Sequence, residues 1–550
     1  MINNLLARIK HLLPPYKFNR KKEAVLRLRN SFGTLKEGSF DFDKIEKYFR
    51  NKDNSNAYHV LSEKTCNDLD FDDLFMFLDR TNSKVGQQYL YNKLRTITID
   101  ESQTALDEEL IALLSQDAEL RTSIQQKIEK LKRHDAYYIT SLFQEEHLNP
   151  PKWFFIIKLL SFTSVALLIF SFFDPLFFIL LIGVFIVNFI IHYWNKNNLI
   201  QYVSSIPQLL KLNSIAAQLF AIPSFKKINP GVFTSIQLIN EVKNRMSFIQ
   251  LEAKLQGEFG LVAWVFLELL KTLFLLEPLL LFGVLRRLNT KRTEIESVFK
   301  FVGHIDMLIS IASVRNGLGT YCIPTIKKDD TKISATQIEH PLIIDCTTNT
   351  LEIGNKSILL TGSNMSGKTT FIRTIGLNIL TGLTINTCFA KAISFPILRI
   401  FSAIRISDDL MNNKSYYFEE VLTIKDMIME SETGVRNLFL LDELFKGTNT
   451  VERISAGKAV LSTLSKNNNI VLVSTHDIEL TDMLSDEFEL YHFSELLNDK
   501  SVGFDYKLKE GKLKNRNAIK ILEINDYPKE VIEEAMSISK KMDASNTKHP

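Results

Sequence analysis

Apolar positions fall along the chain in two spacings, and these divide it. From about residue 40 to 148, and again from 205 to 320, they recur three or four apart. In "FDDLFMFLDRTNSKVGQQYLYNKLRT" Leu74, Phe77 and Leu78, and then Leu90 and Leu94, keep the 3–4 spacing of a helix. "FVGHIDMLISIASVRNGL" repeats the pattern further on. From about 338 the texture changes. "SILLTG", "LFLLDE" and "IVLVSTH" are short apolar runs, each ending at a polar or glycine-containing loop and separated by helical stretches. That alternation predicts a parallel α/β sheet with its working edge at the strand C-termini.

The longest apolar block is "WFFIIKLLSFTSVALLIFSFFDPLFFILLIGVFIVNFIIHYW", Trp153 to Trp194, with formal charge only at Lys158 and Asp174. A helix needs about 20 apolar residues to cross a bilayer. This block is about twice that, and Asp174-Pro175 breaks it, because proline disfavours helix at the residue before it. Two spans, roughly 153–173 and 176–194, are expected. Trp153 and Trp194 suit the membrane–water boundary. Lys152, Lys158 and Lys196 lie on the open side and none in the turn, which places both ends in the cytoplasm. A helical hairpin buried in a soluble core is the competing reading. In a second apolar region, 259–285, Glu268, Lys271 and Glu277 each cost about 3 kcal/mol near a bilayer centre. A buried or membrane-surface helix is expected there, with a third span as the minority reading.

Composition narrows the class. A length of 550 residues suggests three or four domains. Lys+Arg 66 against Asp+Glu 63, net +3, does not mark a dedicated nucleic-acid binder. Positive charge is concentrated in the first thirty residues (Arg8, Lys10, Lys17, Arg20, Lys21, Lys22, Arg27, Arg29, against Glu23), either a solvated tail or a patch for anionic lipid or phosphate. Cys66, Cys322, Cys346 and Cys388 form no pair or cluster, so neither a zinc site nor a disulfide framework is expected and a reducing compartment fits. "MINNLLARIKHLLPP" lacks the apolar core of a cleavable signal peptide.

Three motifs carry the chemistry. Gly362-Ser363-Asn364-Met365-Ser366-Gly367-Lys368-Thr369 fits G-x-x-x-x-G-K-[ST], between a strand-like and a helix-like segment, with Thr370 next. Its backbone N–H groups and helix start would cradle phosphates. Lys368 would reach the β- and γ-phosphates, and Thr369 would ligate Mg²⁺. About 75 residues on, "NLFLLDEL" ends in Asp442, suited to Mg²⁺, and Glu443, suited to orient a water. "IVLVSTHD" brings His476 to another strand end, a contact for the γ-phosphate or the attacking water.

Together these resemble the MutS proteins of DNA mismatch repair, whose ATPase is of the ABC superfamily. "TGSNMSGKTTFIRTIG" is similar to the family's TGPNMxGKST loop, "LLDELFKGTNT" to DEIGRGTST, and "STH" to ATH. "ISDDLMNNKSYYFEEV" resembles the stretch bearing DDL, a signature serine and a downstream Glu, and "RNAIKILEINDYPKEVIEEAMSISKKM" the C-terminal helices. More weakly, "LFMFLDRTNSKVGQQYL" and "HIDMLISIASV" resemble the helical core. The resemblance implies ATP and Mg²⁺ at a site completed across a homodimer, with Ser415 presented to the γ-phosphate held by the other copy, and Glu443, His476 and Ser415 catalytic. Departures are Ser363 for Pro, Thr369 for Ser, Lys446 for Arg, and Asn412-Asn413-Lys414 without the glycine before the serine. About sixty residues precede the helical core, so a mismatch-reading domain is not expected, and the apolar hairpin stands where the family inserts its DNA clamp.

The expected fold is multidomain: a mainly α-helical core and lever region with a transmembrane helical hairpin, followed by an α/β P-loop ATPase domain. Its parts are a basic segment 1–60, the helical core 61–150, the hairpin 151–196, the core and lever 197–330, the ATPase domain 331–510 and a helical dimerisation segment 511–550. The expected function is a membrane-anchored MutS-like ATPase at the cytoplasmic face of the inner membrane, a homodimer whose ATP cycle drives lever and hairpin movement or a membrane or cytoplasmic partner. A membrane-tethered ATPase acting on duplex DNA is the alternative, and an ABC-type transporter subunit a lesser one.

Overall fold

Strands covered on both faces need no polar side, and the apolar runs Ser357–Thr361, Asn437–Asp442 and Ile470–Ser474 accordingly lie side by side inside a sheet. The structure is a computed structural model describing residues 14–146, 152–241, 260–327, 331–354, 356–363, 365–405, 416–498, 501–513, 518–525 and 527–546. Its chain forms two units, one of residues 1–55, 78–95 and 100–317, the other of 56–77, 96–99 and 318–550.

The second unit is built on a six-stranded sheet. Its order is Lys509–Glu510, Phe488–His492, Ser357–Thr361, Ile470–Ser474, Asn437–Asp442, Arg399–Ala403, parallel except at the first strand. Ser474 stands opposite both Leu360 and Asp442, so three strands end at one level. Helix Lys368–Ile385 packs on the central strands. A four-stranded sheet (Thr325–Ile326, Ala392–Phe395, Ile333–Ile338, Asn349–Ile353) adjoins in sequence. Phe439, Leu441, Val471 and Val473 are buried in the core with Leu461 and Leu464 of helix Thr450–Leu464. Helix Glu63–Asp68 joins this unit through Asp68, fully buried. Its carboxylate accepts from Ser402 Oγ at 2.6 Å and from the Ile404 and Arg405 amides at 3.0 and 2.8 Å.

The first unit is helical around Arg292–Gly317, which packs against Lys84–Arg95, Glu101–Gln116 and Pro175–Phe220. Tyr48, Phe143 and Phe299 cluster in its core, with Phe299 4.8 Å from Tyr48 and 5.3 Å from Phe143 between ring centroids. Buried Asp306 accepts from the Asn82 and Ser83 amides at 2.9 and 2.8 Å and from Ser83 Oγ at 2.6 Å, fixing the start of Lys84–Arg95. Arg315 forms a bidentate pair with Glu108, both contacts 2.7 Å.

The apolar block forms helix Phe154–Phe170, a turn, and helix Pro175–Phe220, and the two helices pack on each other. Asp174 caps the second helix by accepting from the Leu176 amide at 2.9 Å. Trp153 and Trp194 meet at the open end, ring centroids 5.5 Å apart. Pro175–Trp194 is long and apolar enough to cross a membrane, whereas Phe154–Phe170 is 17 residues. Phe155, Phe162, Ile169, Phe178, Ile179 and Ile190 are exposed on the outside of the hairpin. The second helix does not stop where the apolar block ends. The residues directly after Trp194 carry no glycine or proline, the helix runs on through Pro207, and apolar positions resume as buried Ile206, Leu209 and Leu210.

Region 259–285 is not one helix. Gly260–Phe274 and Leu276–Leu288 are separated at Leu275, whose φ is 49°. At 15 and 13 residues, each is shorter than the about 20 a crossing needs. Across Leu276–Gly317, the most apolar 18-residue window is 89% buried, as a core segment is. Part of the basic N-terminal run, residues 1–13, lies outside the described residues.

Candidate nucleotide-binding site

The loop after Ser357–Thr361 turns back on itself through two glycines. Gly362 has φ 148°, and a Cβ there would come within 2.7 Å of the Phe493 carbonyl oxygen. Gly367, φ 100°, precedes helix Lys368–Ile385. No other residue type fits both positions without strain. The first turn of that helix, Lys368, Thr369 and Thr370, points its amides into the loop, as a phosphate site requires. Lys368 Nζ donates to the carbonyls of Gly362 and Ser363 at 2.8 and 2.9 Å, while Ser366 Oγ donates to Ser363 O at 2.8 Å. Burial pushes the Lys368 ammonium below its ordinary pKa, against the pull of Glu443 and Asp442. The amine is thus poised to gain from an added anion.

The neighbouring strand ends supply the rest. Thr369 Oγ1 donates to Asp442 Oδ2 at 2.7 Å, and Ser474 Oγ donates to the other oxygen of that carboxylate. Hydroxyl and carboxylate oxygens at this spacing are the hard donor set Mg²⁺ takes, so the residues fit that ion. Glu443 adopts φ 52°, left-handed for a non-glycine residue, with its amide bonded to the Ser474 carbonyl at 2.9 Å. This turn sets the carboxylate between His476 Nε2 at 2.9 Å and Lys446 Nζ at 3.0 Å. The hydrogen bond with His476, then Lys446, holds the carboxyl down at about 2 against the opposing effect of burial. His476 Nε2 also lies 3.5 Å from Lys368 Nζ.

A cavity of about 600 Å³ opens over the loop, bounded by Lys368, Thr369, Thr370 and Glu443 on one side and Ile343, Ile344 and Tyr506 on another. The volume suits a nucleotide. Ile344 and Tyr506 are exposed, and the Tyr506 ring lies over Gly367, 3.2 Å from where a Cβ would stand. These are the apolar and aromatic surfaces on which a base could lie.

The structure therefore brings together Gly362, Ser363, Met365, Ser366, Gly367, Lys368, Thr369, Thr370, Asp442, Glu443 and His476. Asn364 and Ser415 lie outside the described residues. One contributor, Tyr506, carries no motif signal. Glu420, in the stretch "ISDDLMNNKSYYFEEV" whose downstream Glu the resemblance marks, is buried and accepts from the Phe445 amide at 2.6 Å, pinning the segment after Glu443, and burial raises its pKa.

Comparison with known proteins agrees with this geometry. Residues 358–543 match the family described as MutS domain V. The DNA mismatch repair protein MutS of Listeria welshimeri is 28% identical over 290 residues, 50% of this chain and 33% of that protein. Its counterpart in Petrotoga mobilis is 30% identical over 267 residues, 46% and 32%, and that of Aquifex pyrophilus 29% over 220 residues, 38% and 26%. The chain thus spans about a third of the length of the curated relatives it matches. Through its phosphate loop, its paired acidic strand end and this similarity, the chain is MutS-like over its nucleotide-binding half.

Proposed function

We propose that this protein is a membrane-anchored, MutS-like ATPase that works as a homodimer on the cytoplasmic face of the inner membrane. One observation carries the reading: Lys368, Thr369 and Glu443 line a single cavity of nucleotide size, with Asp442 bonded to Thr369 behind it and Glu443 held ionised by His476 and Lys446.

The loop amides and Lys368 bind the phosphates. Lys368 exchanges its two loop carbonyls for phosphate oxygens, which relieves a buried ammonium. Thr369 and Asp442 would hold Mg²⁺, which would supply positive charge against the phosphates. Glu443 orients water for in-line attack at the γ-phosphorus, and His476 stabilises the charge that develops. Ser415 of a second copy completes the site in trans. The exposed apolar hairpin anchors each copy in the bilayer, and nucleotide-driven closure moves the helical levers attached to it.

The test is ATP turnover by the detergent-purified full chain. Lys368→Ala is expected to lose nucleotide binding. Glu443→Gln is expected to bind ATP and lose turnover by roughly 10²-fold or more, in the range of removing a general base. Wild-type turnover in Glu443→Gln would overturn the assignment.

Similarity to mismatch repair proteins favours a second reading, in which the tethered ATPase acts on duplex DNA. Duplex binding that weakens steeply with salt supports it, since phosphate contacts release counterions. Salt-independent or absent binding leaves the first reading.

A further inference from the structure

The charges interrupting 259–285 are gathered in the helical unit, away from the phosphate loop in sequence. Helices Phe154–Phe170, Pro175–Phe220, Gly260–Phe274 and Leu276–Leu288 pack on one another, and between them lie His192, Glu268, Lys271 and Glu277. His192 and Lys271 are each 1% exposed. Lys271 Nζ is 3.3 Å from a carboxylate oxygen of Glu268 and 3.3 Å from one of Glu277. His192 Nε2 is 3.5 Å from Glu268 Oε2 and 3.9 Å from Glu277 Oε2, and neither ring nitrogen has a hydrogen-bond partner. One turn earlier, Asn188 donates to Ser164 Oγ at 3.0 Å and to Leu273 O at 2.7 Å, while its own Oδ1 is buried and unpartnered.

One feature is costly as it stands. The buried imidazole of His192, with both nitrogens unsatisfied, forfeits its hydration. One added cation beside it removes that cost. The imidazole nitrogen and one oxygen from each carboxylate lie within 4.8 Å of one another. Donors around a tetrahedral zinc stand about 3.3 Å apart, so modest side-chain rotation closes the set and leaves a fourth position open.

We propose that His192, Glu268 and Glu277 bind one divalent transition-metal ion of the zinc class, with Lys271 as the ammonium that neutralises the carboxylates when the ion is away. Nitrogen with two carboxylate oxygens suits zinc over Mg²⁺, which takes oxygen alone. The ion ties Pro175–Phe220 to both later helices at the Trp153–Trp194 end of the hairpin. It depends on neither nucleotide hydrolysis nor bilayer crossing.

The experiment uses the full chain purified in detergent, stripped with chelator and free of nucleotide. Zn²⁺ is titrated and bound metal counted, with Co²⁺ as a visible-absorption probe. One Zn²⁺ per chain and an intense four- or five-coordinate Co²⁺ spectrum are expected. His192→Ala is expected to weaken binding by about 100-fold and Glu277→Gln by at least about 10-fold, the scale on which zinc sites respond to their supporting groups. Lys271→Met, which removes the competing ammonium, should bind at least as tightly and melt higher with Zn²⁺ than without. If His192→Ala does not elute as a folded species, Glu277→Gln decides. Wild-type chain retaining no Zn²⁺, or variants retaining it equally, would show a salt-bridge cluster only and overturn the proposal.

Discussion

Glu443 combines two departures from ordinary behaviour: a left-handed backbone and a carboxyl held at about 2. A non-glycine residue in that region costs on the order of 1–3 kcal/mol, retained here because the turn sets the carboxylate against His476. The depressed pKa fixes a sign. The ionised form is favoured on folding, so the contribution is full above the ordinary value of 4.5 and is lost as pH falls through 4.5 towards about 2. The stability gap between wild type and Glu443→Gln, measured by urea unfolding, should therefore be constant near neutrality and narrow across that acid window. A gap that instead vanished near pH 7 would mean the carboxylate is not held by these partners. Tyr506→Ala should weaken ATP binding by roughly tenfold, about one stacking contact, with turnover at saturation little changed. The phosphate loop, Asp442, Glu443 and His476 were legible because each is fixed by local spacing at a strand end. Tyr506 was not, since nothing near it in sequence says that it will lie over Gly367.

Buried acids clamp elements together within each unit. Asp68 joins helix Glu63–Asp68 to the end of strand Arg399–Ala403 with three hydrogen bonds. Asp68→Ala leaves two amides and a hydroxyl unsatisfied and should cost roughly 3 kcal/mol, read as a lowered unfolding midpoint. In the helical unit, a Cβ on Gly86 would come within 2.2 Å of Asp306 Oδ2. Gly86→Ala must displace that carboxylate from Asn82 and Ser83, and should destabilise by about 2–4 kcal/mol despite alanine's better helix propensity. Stability equal to wild type would mean the clamp is idle. Helical spacing marked Leu74, Phe77, Leu78, Leu90 and Leu94, and Asp174-Pro175 marked the hairpin turn. Glu268, Lys271 and Glu277 looked only like interruptions, because their partner His192 is more than seventy residues away and no local period joins them.

At the scale of the whole chain, the apolar outer face of the hairpin predicts the behaviour of the protein in cells. It should stay with vesicles in alkaline carbonate, and Ile186→Arg, at an exposed position near mid-span and costing about 3 kcal/mol, should release part of it. Complete release of wild type would leave the hairpin as a docking surface rather than an anchor. ATP trapped in Glu443→Gln should raise the dimer fraction in cross-linking, with Ser415→Ala reducing it. Among the elements described above, Pro175–Phe220 is a single helix of 46 residues. At 1.5 Å per residue it is a rod about 69 Å long, so a swing of about 5° about its Phe220 end carries its Pro175 end through about 6 Å. Pro207, the lone proline inside it, removes one rung of backbone bonding and sets the natural bending point. Stiffening that point, by Pro207→Ala, should make the far tip follow the near end more faithfully, which a pair of spin labels placed on either side of residue 207 would register as a narrower distance distribution.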